Sequence, residues 1–118
     1  MDESRPIFVQ IAEQIENDII SGQMAEEAQV PSTNEFAAFY RINPATALKG
    51  VSRLVDDGIL YKKRGIGMFV STGARSRLVT KRTTQFRAEY VQPLIAEAAK
   101  LGITSEQLAD MIRKEEKK

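Results

Sequence analysis

Between Arg41 and Arg64 the sequence carries six bases, Arg41, Lys49, Arg53, Lys62, Lys63 and Arg64, against two acids, Asp56 and Asp57. Cationic side chains gathered this closely suit phosphate, because anion binding depends on local charge density rather than on overall pI. The net charge of the 118-residue chain is only +1, since residues 1–40 hold one base, Arg5, against eight acids. A further five bases and no acid lie between Arg75 and Arg87. Among the first group, Thr46 can offer a hydroxyl or a methyl to a base edge. Gly65 and Gly67, beside Arg64, permit a tight turn and close approach to a neighbouring surface. The chemistry these residues can do is recognition of a polyanion.

Other chemistries are excluded by composition. There is no cysteine and no histidine, which removes structural zinc, thiol nucleophiles and imidazole acid–base catalysis. No pair of carboxylates stands out, so the sequence is expected to be no enzyme and to carry no cofactor and no metal site. An acidic start and the lack of a long apolar run predict neither a signal peptide nor a membrane span, and hence a cytoplasmic protein without membrane partners.

Several elements must position the basic residues. Ser4 as a cap and Pro6 in the first turn predict a helix, on which Ile7, Ile11, Ile15 and Ile19 form an apolar stripe until Gly22. Gln29-Val30 has the composition of a short strand. Ser32-Thr33-Asn34-Glu35 is a capping box, opening a short helix whose buried face is Phe36, Ala37, Phe39 and Tyr40. Asn43 is a good N-cap and Pro44 suits the first position of the next helix, Ala45 to Asp57. Its inner face is Ala47, Val51, Leu54 and Val55, which leaves Ala45, Thr46, Lys49, Ser52 and Arg53 elsewhere on the helix. Gly58 ends it. Ile59 to Lys63 and Met68 to Ser71 read as paired strands joined by Arg64-Gly65-Ile66-Gly67.

Two short helices with a tight turn, followed by a basic hairpin, make a winged helix-turn-helix, an arrangement that places one helix in the DNA major groove. The fold class is therefore mainly α with a small β-wing: a winged helix-turn-helix over residues 5–72, then a helical extension over residues 77–116. In that extension Leu78, Phe86, Tyr90 and Leu94 recur at four-residue spacing, and Leu101 continues the apolar side. Pro93 should kink or divide the helix. Thr104-Ser105-Glu106-Gln107 opens a last helix with Leu108, Met111 and Ile112 inward. So small a tail cannot fold alone. Its stripe needs a cover, either the body of its own chain or the same stripe of a second copy in a symmetric dimer; the dimer is the favoured reading, and the extension is read as a dimerisation hairpin.

The segments PIFVQIAEQIENDIISGQM, VPSTNEFAAFYRINPATALKGVSRLVDDGIL and RGIGMFV, in this order and spacing, resemble the N-terminal domain of GntR-type bacterial transcription regulators. The resemblance covers about Arg5 to Ser71. The short tail, with the Asn43-Pro44-Ala45-Thr46 turn, is similar to the YtrA subgroup. This implies a homodimer on a two-fold symmetric operator in double-stranded DNA, acting as a repressor, usually of a transport operon. The positions matching the family's DNA-facing set are Ser32, Thr33, Asn34, Asn43, Pro44, Ala45, Thr46, Lys49, Arg64, Gly65 and Gly67, to which Arg53, Lys62 and Lys63 are added by charge. Family members commonly carry arginines where this sequence has Asn34, Asn43-Pro44 and Leu48. Fewer bidentate guanine contacts follow, with more weight on Thr46, Asn34, the wing and the phosphates. A pocket between two subunits could hold a small-molecule effector, but the sequence names none. The competing reading is a winged-helix module that contacts protein without specific DNA binding.

Overall fold

The computed structural model describes residues 3–118. The chain divides into two compact units, Met1–Val79 and Thr80–Lys118.

The first unit is built on α1 (Ile7–Ser21), β1 (Gln29–Val30), α2 (Thr33–Tyr40), α3 (Pro44–Asp56), β2 (Leu60–Lys63), β3 (Gly67–Val70) and the start of α4 (Ala74–Phe86). Ile11, Ile15 and Ile19 are fully buried, so the four-residue stripe of α1 is core, as its spacing requires. Ile7 departs from that expectation: it lies at the open end of the helix and is 42% exposed. Pro6 rather than Ser4 occupies the N-cap position, and its side chain makes no capping bond. At the other end Gly22, at φ 88°, takes the left-handed conformation that terminates the helix.

In α2, Ser32 Oγ accepts from the Glu35 amide at 3.1 Å while the Ser32 amide donates to the Glu35 carboxylate at 2.9 Å. Phe36 and Ala37 are buried, but Phe39, expected on the inner face, is 78% exposed. On so short a helix one turn suffices to fill the contact with α3, and Phe39 falls outside it, edge-on to Tyr40.

Val51, Leu54, Leu60, Val70 and Leu78 complete the core with the α1 isoleucines. Burial of each such side chain contributes about 1.5–3 kcal/mol. Gly50 sets the closest approach: a Cβ there would lie 2.8 Å from the Phe8 carbonyl oxygen and 3.3 Å from the Ile11 side chain. After α3 the chain reverses through Gly58, with the Ile59 amide donating to the Leu54 carbonyl at 2.9 Å and the Gly58 amide to Val55 at 3.0 Å, the Schellman pattern. The three strands form one antiparallel sheet in the order β1-β3-β2. Gln29 and Tyr61 flank Phe69, and Lys62 pairs with Met68.

Leu78 corrects the expectation that it belongs to a pairing stripe. It is 1% exposed and sits in the core of the first unit. Four-residue spacing alone could not separate it from Phe86 and Tyr90, because one helix serves both.

The second unit holds the remainder of α4, a π-helical turn (Arg87–Val91), α5 (Gln92–Lys100) and α6 (Ser105–Glu116). Pro93, expected to kink or divide the helix, does not interrupt it: Phe86, Val91 and Gln92 keep right-handed helical dihedrals, and only the hydrogen-bond pattern changes. The Pro93 ring would crowd the Glu89 carbonyl in a regular α-helix, and the π turn, closed by the Gln92 amide on the Arg87 carbonyl, widens the backbone there. Ile103 donates to Ala98 at 2.9 Å and Gly102 to Ala99 at 3.2 Å, ending α5. The Thr104–Gln107 capping box starts α6.

Gly50→Ala tests the helix contact. Alanine favours a helix by about 1 kcal/mol over glycine, yet the clash with the Phe8 carbonyl is expected to lower the urea midpoint. A raised midpoint would refute the close approach.

Candidate nucleic-acid interface

Helix α3 is held by one side and free on the other. Asn43 Oδ1 accepts from the Ala45 amide at 2.7 Å and Pro44 fills the first position, where no N–H is required. Ala47, Gly50, Val51 and Leu54 are buried. The opposite side carries two rows at three- and four-residue spacing. One is Ala45, Leu48 and Ser52. The other is Thr46, Lys49 and Arg53. Lys49 is exposed, with its ammonium 4.2 Å from the centre of the Phe8 ring. Ile7, Phe8, Ala45, Thr46 and Lys49 line a shallow hollow where α1 and α3 begin. The sequence places Ile7 on the apolar stripe of α1, because a residue at the end of a stripe has the same spacing as one in its middle.

A second, open groove of about 590 Å³ joins the start of α2 to the wing. It brings together Ser32, Thr33, Lys62, Lys63, Arg64, Gly65 and Gly67, all expected to face DNA. Asn34, Asn43, Pro44 and Arg53 lie outside both concavities and are exposed. The wing turn is tied down by Gln29, whose Nε2 donates to the Ile66 carbonyl at 3.1 Å. Gly67, at φ 143°, leaves room for that amide; a Cβ would come within 2.5 Å of it. The pleat divides the Lys62-Lys63-Arg64 run. Lys62 shares a face with Met68, whereas Lys63 falls on the other face with its ammonium 4.5 Å from the Phe69 ring centre. Such a cation–π contact at an exposed site contributes about 0.5–1 kcal/mol, so Lys63 is the least available of the three for phosphate.

Residues 8–70 match the family described as bacterial regulatory proteins, gntR family. The YtrA transcriptional repressor of Bacillus subtilis is 32% identical over 110 residues, covering 93% of this chain and 84% of the relative. The chain belongs to the GntR family. A GntR-family regulator from Bacteroides thetaiotaomicron superposes with a TM-score of 0.78 at 34% identity, over 92% of this chain and 94% of that one. The AraR DNA-binding domain in complex with operator ORX1 superposes with a TM-score of 0.55 at 29% identity, over 60% and 87%.

Within this GntR-family chain, a cluster that sequence reasoning missed fixes how the wing meets the start of α4. Glu27 stands at φ 65°, a conformation that costs a non-glycine residue roughly 1 kcal/mol. Its amide donates to the Val70 carbonyl at 2.8 Å. Its carboxylate accepts from the Thr72 hydroxyl at 2.5 Å and from the Tyr61 hydroxyl. The Glu26 carboxylate accepts from the Gly73 amide at 2.5 Å. Arg75 donates to the Ile20 carbonyl at 2.9 Å and Arg77 to the Gly58 carbonyl. Two bases that look like phosphate binders in the sequence are thus engaged with backbone.

The Thr72 hydroxyl first, then the Tyr61 hydroxyl, holds the Glu27 carboxyl below the ordinary carboxylate range. A lowered folded-state pKa stabilises the fold fully above the unfolded value, and that stability is lost as pH falls through the folded value. Glu27→Gln is therefore expected to melt below the wild type at neutral pH, with the gap closing on acidification below the carboxylate range. A gap independent of pH would contradict the assignment.

Proposed function

We propose that this protein is a homodimeric repressor that occupies a two-fold symmetric operator. It is a DNA-binding transcription regulator of the GntR family, with the winged fold of a domain solved on operator DNA. What carries the operator reading is α3: one face is locked into the core, and the other offers small and basic residues that are exposed or half-buried. Its N-terminal turn would meet base edges, while Lys49, Arg53, Lys62 and Arg64 would take phosphates. The exposed rows of α3 are neither acidic nor broadly apolar, which disfavours a protein-binding module. Among the described residues no helix is long and apolar enough to cross a membrane.

Dimerisation is supported by the second unit. Phe86, Tyr90, Leu94, Ile95, Leu101, Met111 and Ile112 are all exposed in the single chain, with the Phe86 and Tyr90 rings 5.5 Å apart. Leu108 is half-buried. A concentration of large apolar side chains on about forty residues needs a cover, and a second copy supplies one in kind. Two recognition helices would then enter successive major grooves roughly 34 Å apart, and occupancy of the site would exclude polymerase.

Selection from random duplexes followed by footprinting tests the reading, with an inverted repeat as the expected result. Lys62→Ala and Arg64→Ala should each weaken binding across sequences and lower the salt slope by about one, and Lys63→Ala by less. Unchanged slopes would remove the wing from the interface. The double variant Leu94→Lys, Ile112→Lys should sediment as a monomer and lose tight operator binding. A variant that stays dimeric would place the subunit contact elsewhere.

A further inference from the structure

The most unusual group on the outer side of α3 is Leu48. It lies in the second turn of the helix, on the row with Ala45 and Ser52, and is 45% exposed. It is not part of the core cluster. The adjacent row places Lys49 and Arg53 beside it, so the surface around it suits a polyanion rather than an apolar protein face. An alkyl side chain has no hydrogen bond to offer guanine or adenine. The one apolar group that a base pair presents in the major groove is the thymine 5-methyl. Ala45, one turn earlier, and the hollow shared by Ile7, Phe8 and the Thr46 methyl extend the same apolar character to the helix N-terminus.

We infer that Leu48, with Ala45, determines operator specificity by packing on thymine 5-methyl groups in the major groove, so that this helix reads thymine where an arginine would read guanine. The inference rests on the DNA-binding reading. Removing a methyl from an apolar contact costs about the transfer free energy of one buried carbon, which corresponds to about a fourfold loss of affinity.

Deoxyuridine isolates the methyl, because it pairs as thymidine does and leaves the minor groove unchanged. Duplexes recovered by the full-length protein from a random pool are resynthesised with each thymidine replaced singly by deoxyuridine. Binding is measured for the wild type, Leu48→Ala and Leu48→Arg. The wild type is expected to lose about fourfold at one or two positions in each half-site. Leu48→Ala should bind the thymidine duplex correspondingly less well and show no loss on replacement at the position that Leu48 covers. Leu48→Arg, which keeps the helix and needs no core space, should recover guanine at that position in a fresh selection. Tight binding that ignores deoxyuridine at every position, or a Leu48→Ala protein that keeps the full wild-type sensitivity, overturns the inference alone. Failure to recover any duplex overturns the DNA-binding reading and the inference together.

Discussion

The close packing of α1 against α3 is the contact on which the rest depends. A helix that reads DNA must be rigid, yet it can bury only half of its circumference. Gly50 resolves this by removing a side chain where the Phe8 carbonyl and Ile11 approach, so that α3 seats deeply through Ala47, Val51 and Leu54. The residues on its far side are then held at a set height, with Lys49 alone laid over the Phe8 ring. Interiors are dense enough that a displacement at one point is felt along the element, and α3 behaves as a rigid carrier for Ala45, Thr46, Leu48, Lys49 and Arg53.

The wing is positioned by different physics. A three-stranded sheet with strands of two to four residues is marginal by itself. Side-chain hydrogen bonds make up the shortfall: Gln29 holds the tip, and Glu26 and Glu27 hold the chain where it leaves β3. Arg75 and Arg77 fasten the first turns of α4 to the same body, and Leu78 seals the contact. The stacked Tyr61 and Phe69 rings lie between these two sets of ties, with Tyr61 bonded to Glu27 and Lys63 lying over Phe69. The Tyr61–Phe69 face of the wing is thus a structural surface, and Lys62 on the opposite face and Arg64 in the turn are exposed charges outside these ring contacts.

Features whose partners lie within a few residues were legible in the sequence. The Ser32–Glu35 and Thr104–Gln107 boxes, the Asn43-Pro44 start and the stops at Gly22 and Gly58 are all present. Each depends on bonds or clashes spanning five residues or fewer. Phe39, Ile7 and Leu78 were misplaced for a common reason. Periodicity gives the direction in which a side chain points along a helix, and not whether another element covers that direction.

The amino-acid sequence by itself determined the order and type of the elements, the family, and the basic residues from which an interface could be drawn, because capping, spacing and charge are local properties. Only the tertiary structure decided which of those residues remain available. It tied Arg75 and Arg77 to distant carbonyls, laid Lys63 on Phe69, turned Glu27 into a bracket and left Leu48 uncovered. Those outcomes depend on contacts between residues six to fifty-five positions apart, or on the lack of one, and no local pattern records where a chain folds back on itself.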